Sequence, residues 1–277
     1  MKLKNKVAIV TGGSRGIGRA VAEAFLKNGA RVMLAARSRA ELAATKTALA
    51  PENAGSVETF AMDVSKKGDA KALVAATVKT FGGLDILVNG AGIYGAIGAA
   101  EDVDFEAWKA AFDVNLFGTF NMIQEAVPIF KKAGHGKIIN FSGGGEGPLP
   151  HFSAYTASKS AVVRLTESLA AELKDRKIDV NAVAPGAVNT KILEDALSAG
   201  EQAVGKEMYA KLLQQKKEGG VPAAAAGELC VFLASEDSDG LSGKLVSAVW
   251  DKWNTWGKDD IARLMQGNGL TFRRMKP

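Results

Sequence analysis

The pattern of apolar residues predicts that buried strands alternate with amphipathic helices along most of the chain. Residues 7–10 are four consecutive apolar residues, which is typical of a strand buried on both faces. Beyond a glycine-rich turn, apolar residues recur at helical spacing from Ile17 to Phe25, and Gly29 ends this predicted helix. The chain therefore begins with a strand, a turn and a helix.

The same alternation continues to residue 249. Further strands are predicted at residues 31–36, 56–62, 84–88, 137–141, 178–184 and 244–249, with helices at about 40–49, 67–80, 108–130, 155–173 and 223–234. Seven strands alternating with helices indicate an α/β fold with a parallel sheet. Since no repeat, low-complexity tract or linker interrupts the pattern, we expect one domain over residues 1–277.

Two segments of the chain contain no predicted strand. Residues 191–221 are polar and helical in pattern, so they form either a lid over a substrate site or a surface insertion. Residues 250–277 are a C-terminal extension, and Trp250, Trp253 and Trp256 at its start are expected to pack or to make a subunit contact. Residues 144–153 and 188–221 would shape a substrate pocket, with 188–221 as its lid.

Composition excludes several classes of protein. The net charge of +5 comes from scattered lysines and arginines, whereas a nucleic-acid-binding surface is normally a clustered patch, so we expect no nucleic-acid partner. One cysteine, Cys230, and two histidines provide neither an internal disulfide nor zinc-ligand spacing. No apolar run is long enough for a signal peptide or a membrane span. We therefore expect a cytoplasmic protein without metal.

The turn after the first strand is rich in glycine. It reads Thr11-Gly12-Gly13-Ser14-Arg15-Gly16-Ile17-Gly18 and leads directly into a helix. Glycines let the backbone turn tightly and approach a pyrophosphate, which binds at the positive helix N-terminus. Because the motif lies between a strand and a helix, it predicts a dinucleotide site rather than a merely structural turn.

The end of the second strand indicates which dinucleotide binds. An acid at this position usually binds the ribose 2′-hydroxyl of NAD, whereas an arginine accepts the 2′-phosphate of NADP. This chain has Ala36 followed by Arg37 and Arg39, with Arg15 in the glycine turn and no acid at the strand end. Two guanidinium groups can hold a phosphate through charge-assisted hydrogen bonds. We therefore expect NADP(H) to be preferred over NAD(H).

Other strand ends carry candidate ligand contacts, because ligands bind at the carboxyl edge of open parallel sheets. Asp63 and Val64 follow the third strand, and Asp63 either bonds an adenine amine or caps the next helix. The fourth strand runs into Asn89-Gly90-Ala91-Gly92. Asn115 lies in the apolar stripe of the longest helix, where either the backbone satisfies its amide or it holds water near a site.

Tyr155 and Lys159 lie one helical turn apart, on one face of a predicted helix. At roughly 4 Å and an effective dielectric near 20, the ammonium would stabilise the phenolate by about 4 kcal/mol. Desolvation raises the pKa of a tyrosine, so the lysine must outweigh it for Tyr155 to become a general acid or base. The alternative is an ordinary aromatic residue beside a solvated lysine. Ser142 ends the fifth strand nearby in sequence.

Taken together, these motifs resemble the short-chain dehydrogenase/reductase family in its compact single-domain form. The likeness covers about residues 7–243 and rests on the glycine turn, Asp63, Asn89-Gly90-Ala91-Gly92, Asn115, Ser142, Tyr155, Lys159 and Pro185-Gly186. The family often has asparagine where Gly90 stands, and its usual C-terminal ending is replaced here by residues 246–251 and the extension.

The resemblance implies a doubly wound Rossmann fold with a seven-stranded parallel sheet in the order 3-2-1-4-5-6-7. It implies that Tyr155 transfers a proton, that Lys159 lowers the pKa of Tyr155 and holds the nicotinamide ribose, that Ser142 binds the substrate oxygen, and that Asn115 supports a water relay. The implied cofactor contacts are Gly12, Ser14, Arg15, Gly16, Ile17, Gly18, Arg37, Asp63, Val64, Asn89, Ala91, Gly92, Tyr155, Lys159, Pro185, Gly186, Val188 and Thr190.

The leading hypothesis is an NADPH-dependent carbonyl reductase or alcohol dehydrogenase acting on a small molecule. One alternative is 3-oxoacyl thioester reduction on an acyl carrier protein. A non-enzymatic alternative is an NADP-sensing protein, which would need the glycines but not the proton-transfer residues. The resemblance also implies a homodimer or homotetramer that pairs through the helices carrying Asn115 and Tyr155.

Overall fold

Seven strands form the sheet whose carboxyl edge positions the site. A computed structural model describes residues 1–50, 57–143 and 148–272. The strands are β1 (Val7–Thr11), β2 (Arg31–Ala36), β3 (Val57–Ala61), β4 (Ile86–Asn89), β5 (Gly136–Phe141), β6 (Ile178–Ala184) and β7 (Leu245–Ser247). All pair in parallel, in the order β3-β2-β1-β4-β5-β6-β7. The predicted seven-stranded Rossmann sheet and its strand order are confirmed.

Helices cover both faces of the sheet. They are α1 (Gly16–Lys27), α2 (Arg39–Leu49), α3 (Lys67–Phe81), α4 (Phe105–Phe112), α5 (Gly118–Ala133), α6 (Ser153–Leu173), α7 (Lys191–Val204), α8 (Lys206–Glu218), α9 (Ala223–Ala234) and α10 (Lys258–Gln266). One apolar core joins the sheet to α1 and α9, and a second joins it to α3, α5 and α6. Strands buried on both faces explain the nearly continuous apolar runs in the sequence.

The fourth and the last strands differ most from the predicted ones at their ends. The fourth strand begins at Ile86 rather than residue 84, because Asp85 bonds the start of β1, donating its amide to Val7 O at 2.9 Å. The last strand ends at Ser247, where the Ser247 amide donates to Asp251 Oδ2 at 2.7 Å and starts a turn. Residue 56, the predicted start of the third strand, lies outside the described residues.

The helix predicted at residues 108–130 is longer and irregular. It starts at Phe105, where Asp104 caps it by accepting a hydrogen bond from the Ala107 amide at 2.8 Å. A π-helical turn, Asp113–Phe117, joins α4 to α5. Such turns carry an extra residue and are frequent at functional sites. Asn115 lies in this turn.

The C-terminal extension packs against the rest of the chain. Trp253 and Trp256 contact Phe232 of α9, with ring centroids 5.8 and 6.3 Å apart, whereas Trp250 is exposed. The Leu245 amide of β7 donates to Leu270 O at 2.8 Å. Packing of the second and third tryptophans therefore matches the expectation, and α10 is an element that the sequence pattern did not predict.

None of the helices within the described ranges combines the length and apolar composition that crossing a membrane requires.

Candidate active site

A cleft of about 610 Å³ lies at the carboxyl edge of the sheet. It is lined by the glycine turn, the ends of β2, β3 and β4, and the start of α7. Of the predicted cofactor contacts, it brings together Gly12, Ser14, Arg15, Gly16, Ile17, Gly18, Arg37, Asp63, Val64, Ala91, Gly92 and Thr190. Residues scattered over most of the sequence thus meet in one cleft.

The remaining predicted contacts lie beside this cleft rather than in its lining. Asn89 is buried and its Nδ2 donates to Asn140 Oδ1 at 2.9 Å, while its Oδ1 has no partner among the described residues. Gly186, at φ +80°, packs so closely that an added Cβ would lie 2.9 Å from Val249. The Val188 amide donates to Gly186 O at 3.1 Å, which forms a tight turn after Pro185.

The glycine turn has the geometry that a bound pyrophosphate requires. Gly12 has φ +68°, and a Cβ on it would lie 2.7 Å from Gly90 O. A Cβ on Gly18 would lie 2.3 Å from Gly12 O, so side chains are excluded at both positions. No side chain caps the start of α1 at Arg15, and its first turn contains no acid. The amides at this helix start therefore suit an anion, and the residues present fit a dinucleotide.

An acid occupies the Arg15 side of the cleft. Glu41, in the first turn of α2, accepts hydrogen bonds from Arg15 Nη1 and from Ser14 Oγ, both at 2.9 Å. No acid follows the end of β2 directly, as the sequence indicated, but the first turn of α2 brings this one to Arg15. Ser38 and Glu41 have the spacing of a helix-capping pair, and Ser38 Oγ does accept from the Glu41 amide. That signal would have placed Glu41 at a helix start beside the glycine turn.

Asp63 stabilises the turn after β3 and does not cap α3. Its Oδ1 accepts from the Ser65 amide at 3.0 Å and from Ser65 Oγ at 2.8 Å, whereas the N-cap of α3 is Lys66. Burial acts to raise the pKa of Asp63, but the Ser65 bonds and the charges of Arg37 and Lys66 together lower it. The capping alternative was wrong, and Asp63 adds a carboxylate to the Arg37 side of the cleft.

Lys159 is buried and reaches the end of β5. Its Nζ donates to Phe141 O at 2.9 Å. Burial lowers the pKa of Lys159 to about 8. A Cβ on Gly92, which lines the cleft, would lie 3.4 Å from this Nζ. The ammonium therefore lies immediately behind the cleft, and only a very small residue fits between them.

The Tyr155 hydroxyl lies at the same strand end. A Cβ on Gly143 would fall 1.9 Å from the phenolic oxygen, so the hydroxyl packs directly on the backbone after Ser142. Desolvation of the hydroxyl raises the pKa of Tyr155 above its ordinary value, and the Tyr94 phenol, 4.7 Å away between ring centroids, adds to the rise. We expected the Lys159 ammonium to lower the pKa of Tyr155, but in the chain without a cofactor this pKa is raised.

Asn115 is held by the backbone. Its Oδ1 accepts from the Ile93 amide and its Nδ2 donates to Ile93 O, both at 2.9 Å. Nδ2 also donates to Ser158 Oγ at 2.9 Å. Of the two alternatives for this buried amide, the backbone satisfies it. Asn115 thus ties the π-helical turn to the segment after β4 and to α6, between Tyr155 and Lys159.

Ser142 follows β5 and is buried. Its amide donates to Val183 O of β6 at 3.0 Å, which extends the pairing of the two strands by one residue. Ser142 thus lies between Phe141, whose carbonyl binds Lys159, and Gly143, on which Tyr155 packs. The structure therefore brings Ser142, Tyr155 and Lys159 to one point of the sheet edge.

Beyond Tyr155, the segment 191–221 forms α7 and α8 and contributes to an apolar cluster. The cluster consists of Phe152, Leu193, Ala196, Val204 and Leu212, with Tyr94, Ile97, Leu149, Tyr155, Leu197, Met208 and Tyr209 packed against it. The predicted helical pattern is confirmed, although α7 is interrupted at Gly200, which has φ +85°. Residues 144–147 of the predicted pocket lie outside the described residues.

Known proteins are similar to this chain in sequence and in fold. The model of the family described as "short chain dehydrogenase" matches residues 6–200 of this chain. The chain belongs to the short-chain dehydrogenase family. It is 38% identical over 243 residues to 3β-hydroxysteroid dehydrogenase 1 of Eggerthella lenta, covering 87% of this chain and 91% of the relative.

Two solved structures of short-chain dehydrogenase fold resemble this one. A single-residue variant of actinorhodin polyketide ketoreductase with NADPH has a TM-score of 0.79 and 28% identity, covering 87% of this chain and 95% of that chain. NAD⁺-bound xylitol dehydrogenase has a TM-score of 0.80 and 24% identity, covering 89% and 98%, and shows likeness of fold alone.

Family membership makes this protein an NAD(P)-dependent oxidoreductase that acts on alcohol and carbonyl groups. The expectation of a nicotinamide cofactor is thereby confirmed, and the alternative of a cofactor-sensing protein without turnover is not supported. The two similar structures hold different cofactors, so they do not decide between NAD(H) and NADP(H).

Proposed function

We propose that this short-chain dehydrogenase reduces a small carbonyl compound, or oxidises the matching secondary alcohol, with Tyr155 as the proton-transferring group. One observation carries the proposal: the Tyr155 hydroxyl and the Lys159 ammonium both lie at the end of β5, and the ammonium lies beside Gly92, which lines the cleft. A nicotinamide bound there supplies or accepts the hydride. The proton must then come from, or go to, the chain.

The raised pKa of Tyr155 keeps its hydroxyl protonated at neutral pH but makes it a weak acid in the chain alone, so donation to a carbonyl oxygen depends on stabilisation of the phenolate. Lys159 remains largely protonated below about pH 8 and stabilises the phenolate left after donation. Ser142 donates a hydrogen bond to the substrate oxygen, where negative charge develops. Asn115 positions α6 through its hydrogen bond to Ser158 Oγ.

We assign the remaining cofactor contacts by their place along the cleft. Gly12, Ser14, Gly16, Ile17 and Gly18 hold the pyrophosphate at the start of α1. The adenosine would be held by Arg15, Arg37, Asp63 and Val64. The nicotinamide half would be held by Asn89, Ala91, Gly92, Tyr155, Lys159, Pro185, Gly186, Val188 and Thr190. The three-dimensional proximity of Thr190 to Gly16, where a Cβ would lie 3.2 Å away, supports a cofactor enclosed from two sides.

We propose NADP(H) as the preferred cofactor. Arg15 and Arg37 both line the cleft, and either guanidinium can bind a 2′-phosphate. Ala36 ends β2, so no carboxylate follows the strand where it would bond a 2′-hydroxyl.

The substrate pocket is formed by the apolar cluster at Tyr155, with residues 188–221 as its lid. Tyr94 packs against the Tyr155 ring, and Phe152 and Leu193 belong to the same apolar cluster, so the pocket favours an apolar ketone over a strongly charged one. One domain over residues 1–277 carries both the cofactor cleft and this lid.

Reduction of 3-oxoacyl thioesters is a second candidate. The likeness to a polyketide ketoreductase at 28% identity supports it, and the net charge of +5 suits an acidic carrier protein. Activity with acetoacetyl thioesters above that with simple ketones of similar size would favour this candidate.

The proposal is tested by loss of NADPH absorbance with a panel of apolar ketones, aldehydes and acyl thioesters. We expect turnover with at least one ketone and weaker turnover of the same substrate with NADH. A purified protein that binds NADPH but consumes it with no member of the panel would contradict the proposed function.

A further inference from the structure

The carboxylate of Glu41 occupies two hydrogen-bond donors that face the cofactor cleft. Arg15 Nη1 donates to Oε1 and Ser14 Oγ donates to Oε2, each at 2.9 Å. Ser14, Arg15 and Glu41 all line the cleft. A serine hydroxyl beside a guanidinium is also the donor pair that a phosphate group would use. Glu41 therefore occupies donors that a 2′-phosphate would need.

The position of Glu41 is fixed by the fold rather than by one exposed ion pair. Its amide donates to Ser38 Oγ at 3.2 Å, which holds it in the first turn of α2. The buried Thr45 Oγ1, one turn further along α2, donates to Ser14 O at 2.7 Å. These two bonds keep the start of α2 against the glycine turn, so the carboxylate stays within reach of Arg15.

We propose that Glu41 is a specificity-determining residue that competes with the 2′-phosphate of NADP(H) for Arg15 and Ser14. The inference rests on the proposed function, since it concerns the same cleft. NADH binding leaves the contacts of Glu41 intact. To bind the 2′-phosphate of NADPH, Arg15 must release the Glu41 carboxylate. The phosphate and this carboxylate, both negatively charged, are then brought close together. Glu41 thus weakens NADPH binding and keeps the enzyme able to use both cofactors.

The test measures dissociation constants of NADPH and NADH by fluorescence titration, without substrate, in Glu41→Gln and in the unmodified chain. An exposed ion pair contributes little, so we expect about a three- to tenfold gain for NADPH and less than about a twofold change for NADH. Glu58→Gln is the matched control. Glu58 forms an ion pair with Lys46 at 2.8 Å, its side chain is 41% exposed like that of Glu41, and it is not among the cleft-lining residues described.

A double-mutant cycle separates competition for Arg15 from other effects. In an Arg15→Gln background, Glu41→Gln should improve NADPH binding by clearly less than it does in the unmodified chain. An equal gain in both backgrounds, or an unchanged NADPH to NADH ratio in the single variant, would overturn the inference. Failure of the proposed function looks different, because the unmodified chain would then bind neither dinucleotide or bind without turnover.

Discussion

The phenolic oxygen of Tyr155 lies so close to Gly143 that a Cβ at residue 143 would fall 1.9 Å from it. Real Cβ atoms do not approach an oxygen this closely, so the hydroxyl occupies space that exists only because residue 143 is glycine. The backbone after Ser142 therefore determines where the proton-transferring group can lie.

Replacing Gly143 by alanine should displace the Tyr155 ring and reduce turnover by about tenfold to a hundredfold, because catalysis depends on placement within about 1 Å. NADPH binding should change little, since Gly143 does not line the described cleft. Steady-state rates and fluorescence titration measure the two effects. Gly83→Ala is the control, because an added Cβ there meets nothing within 4 Å. Unchanged turnover in Gly143→Ala would contradict the placement of Tyr155.

Replacing Tyr155 by phenylalanine removes the hydroxyl but keeps the ring within the apolar cluster. We expect turnover to fall by about 10²–10⁴-fold, which is the usual contribution of a positioned proton donor. The dissociation constant of NADPH should stay within about threefold, because the glycine turn is untouched. Comparable turnover in the variant and the unmodified enzyme would refute the proton-transfer role.

Replacing Arg37 by aspartate should weaken NADPH relative to NADH. The substitution removes one candidate phosphate donor and adds a negative charge, so we expect about a tenfold or greater drop in the NADPH to NADH ratio of kcat/KM. Arg176→Asp, on the segment between α6 and β6, makes the same charge change outside the cleft lining and should leave the ratio unchanged. If Arg37→Asp and the unmodified enzyme have equal NADPH to NADH ratios, Arg37 does not bind the 2′-phosphate.

Replacing Lys159 by methionine should stabilise the fold while abolishing most activity. Burial lowers the pKa of Lys159 from 10.5 to about 8, so between these values the unfolded chain binds more protons than the folded chain. The free energy of unfolding contributed by this group therefore rises with pH across that window, and the full cost of burying the ammonium is present below pH 8.

The stabilisation is consequently largest near neutral pH. A shift of this size corresponds to about 3 kcal/mol, from which the lost hydrogen bond to Phe141 O subtracts about 1–2 kcal/mol. Urea unfolding should show a gain of about 1–2 kcal/mol at neutral pH that shrinks as pH approaches 10. Lys131→Met replaces an exposed lysine of α5 and is the control. A gain that is independent of pH would contradict the buried ammonium.

Self-association is expected through the helices that carry Asn115 and Tyr155. Three phenylalanines of these helices are exposed to solvent: Phe105 of α4 (67%), Phe117 of the π-helical turn (51%) and Phe120 of α5 (41%). Large apolar side chains exposed together usually mark a surface that contacts another protein chain. Sedimentation should show a dimer or tetramer, and Phe117→Glu with Phe120→Glu should shift it towards the 28.9 kDa monomer. Leu213→Glu, at an equally exposed apolar residue of α8, should not. A monomeric unmodified chain would contradict the prediction.

Much of the site could be predicted because its parts are local in sequence. The glycine turn needs only the spacing of Gly12, Gly16 and Gly18 between a strand and a helix, and Tyr155 and Lys159 need only one helical turn. Parallel strands then bring their carboxyl ends to one edge, which places Asp63, Ser142 and Thr190 along the same edge of the sheet.

The sequence alone therefore determined the alternation of strands and helices, the family resemblance and the residue types available for chemistry. Tertiary structure decided the electrostatics. Arg15 meets Glu41 from 26 residues away, and Lys159 meets the carbonyl of Phe141 from 18 residues away. The pKa of Tyr155 rises rather than falls, because burial removes its hydroxyl from solvent and the Tyr94 phenol adds to the rise. Charge interactions and desolvation depend on distances through space, and these are set only when separate elements pack together.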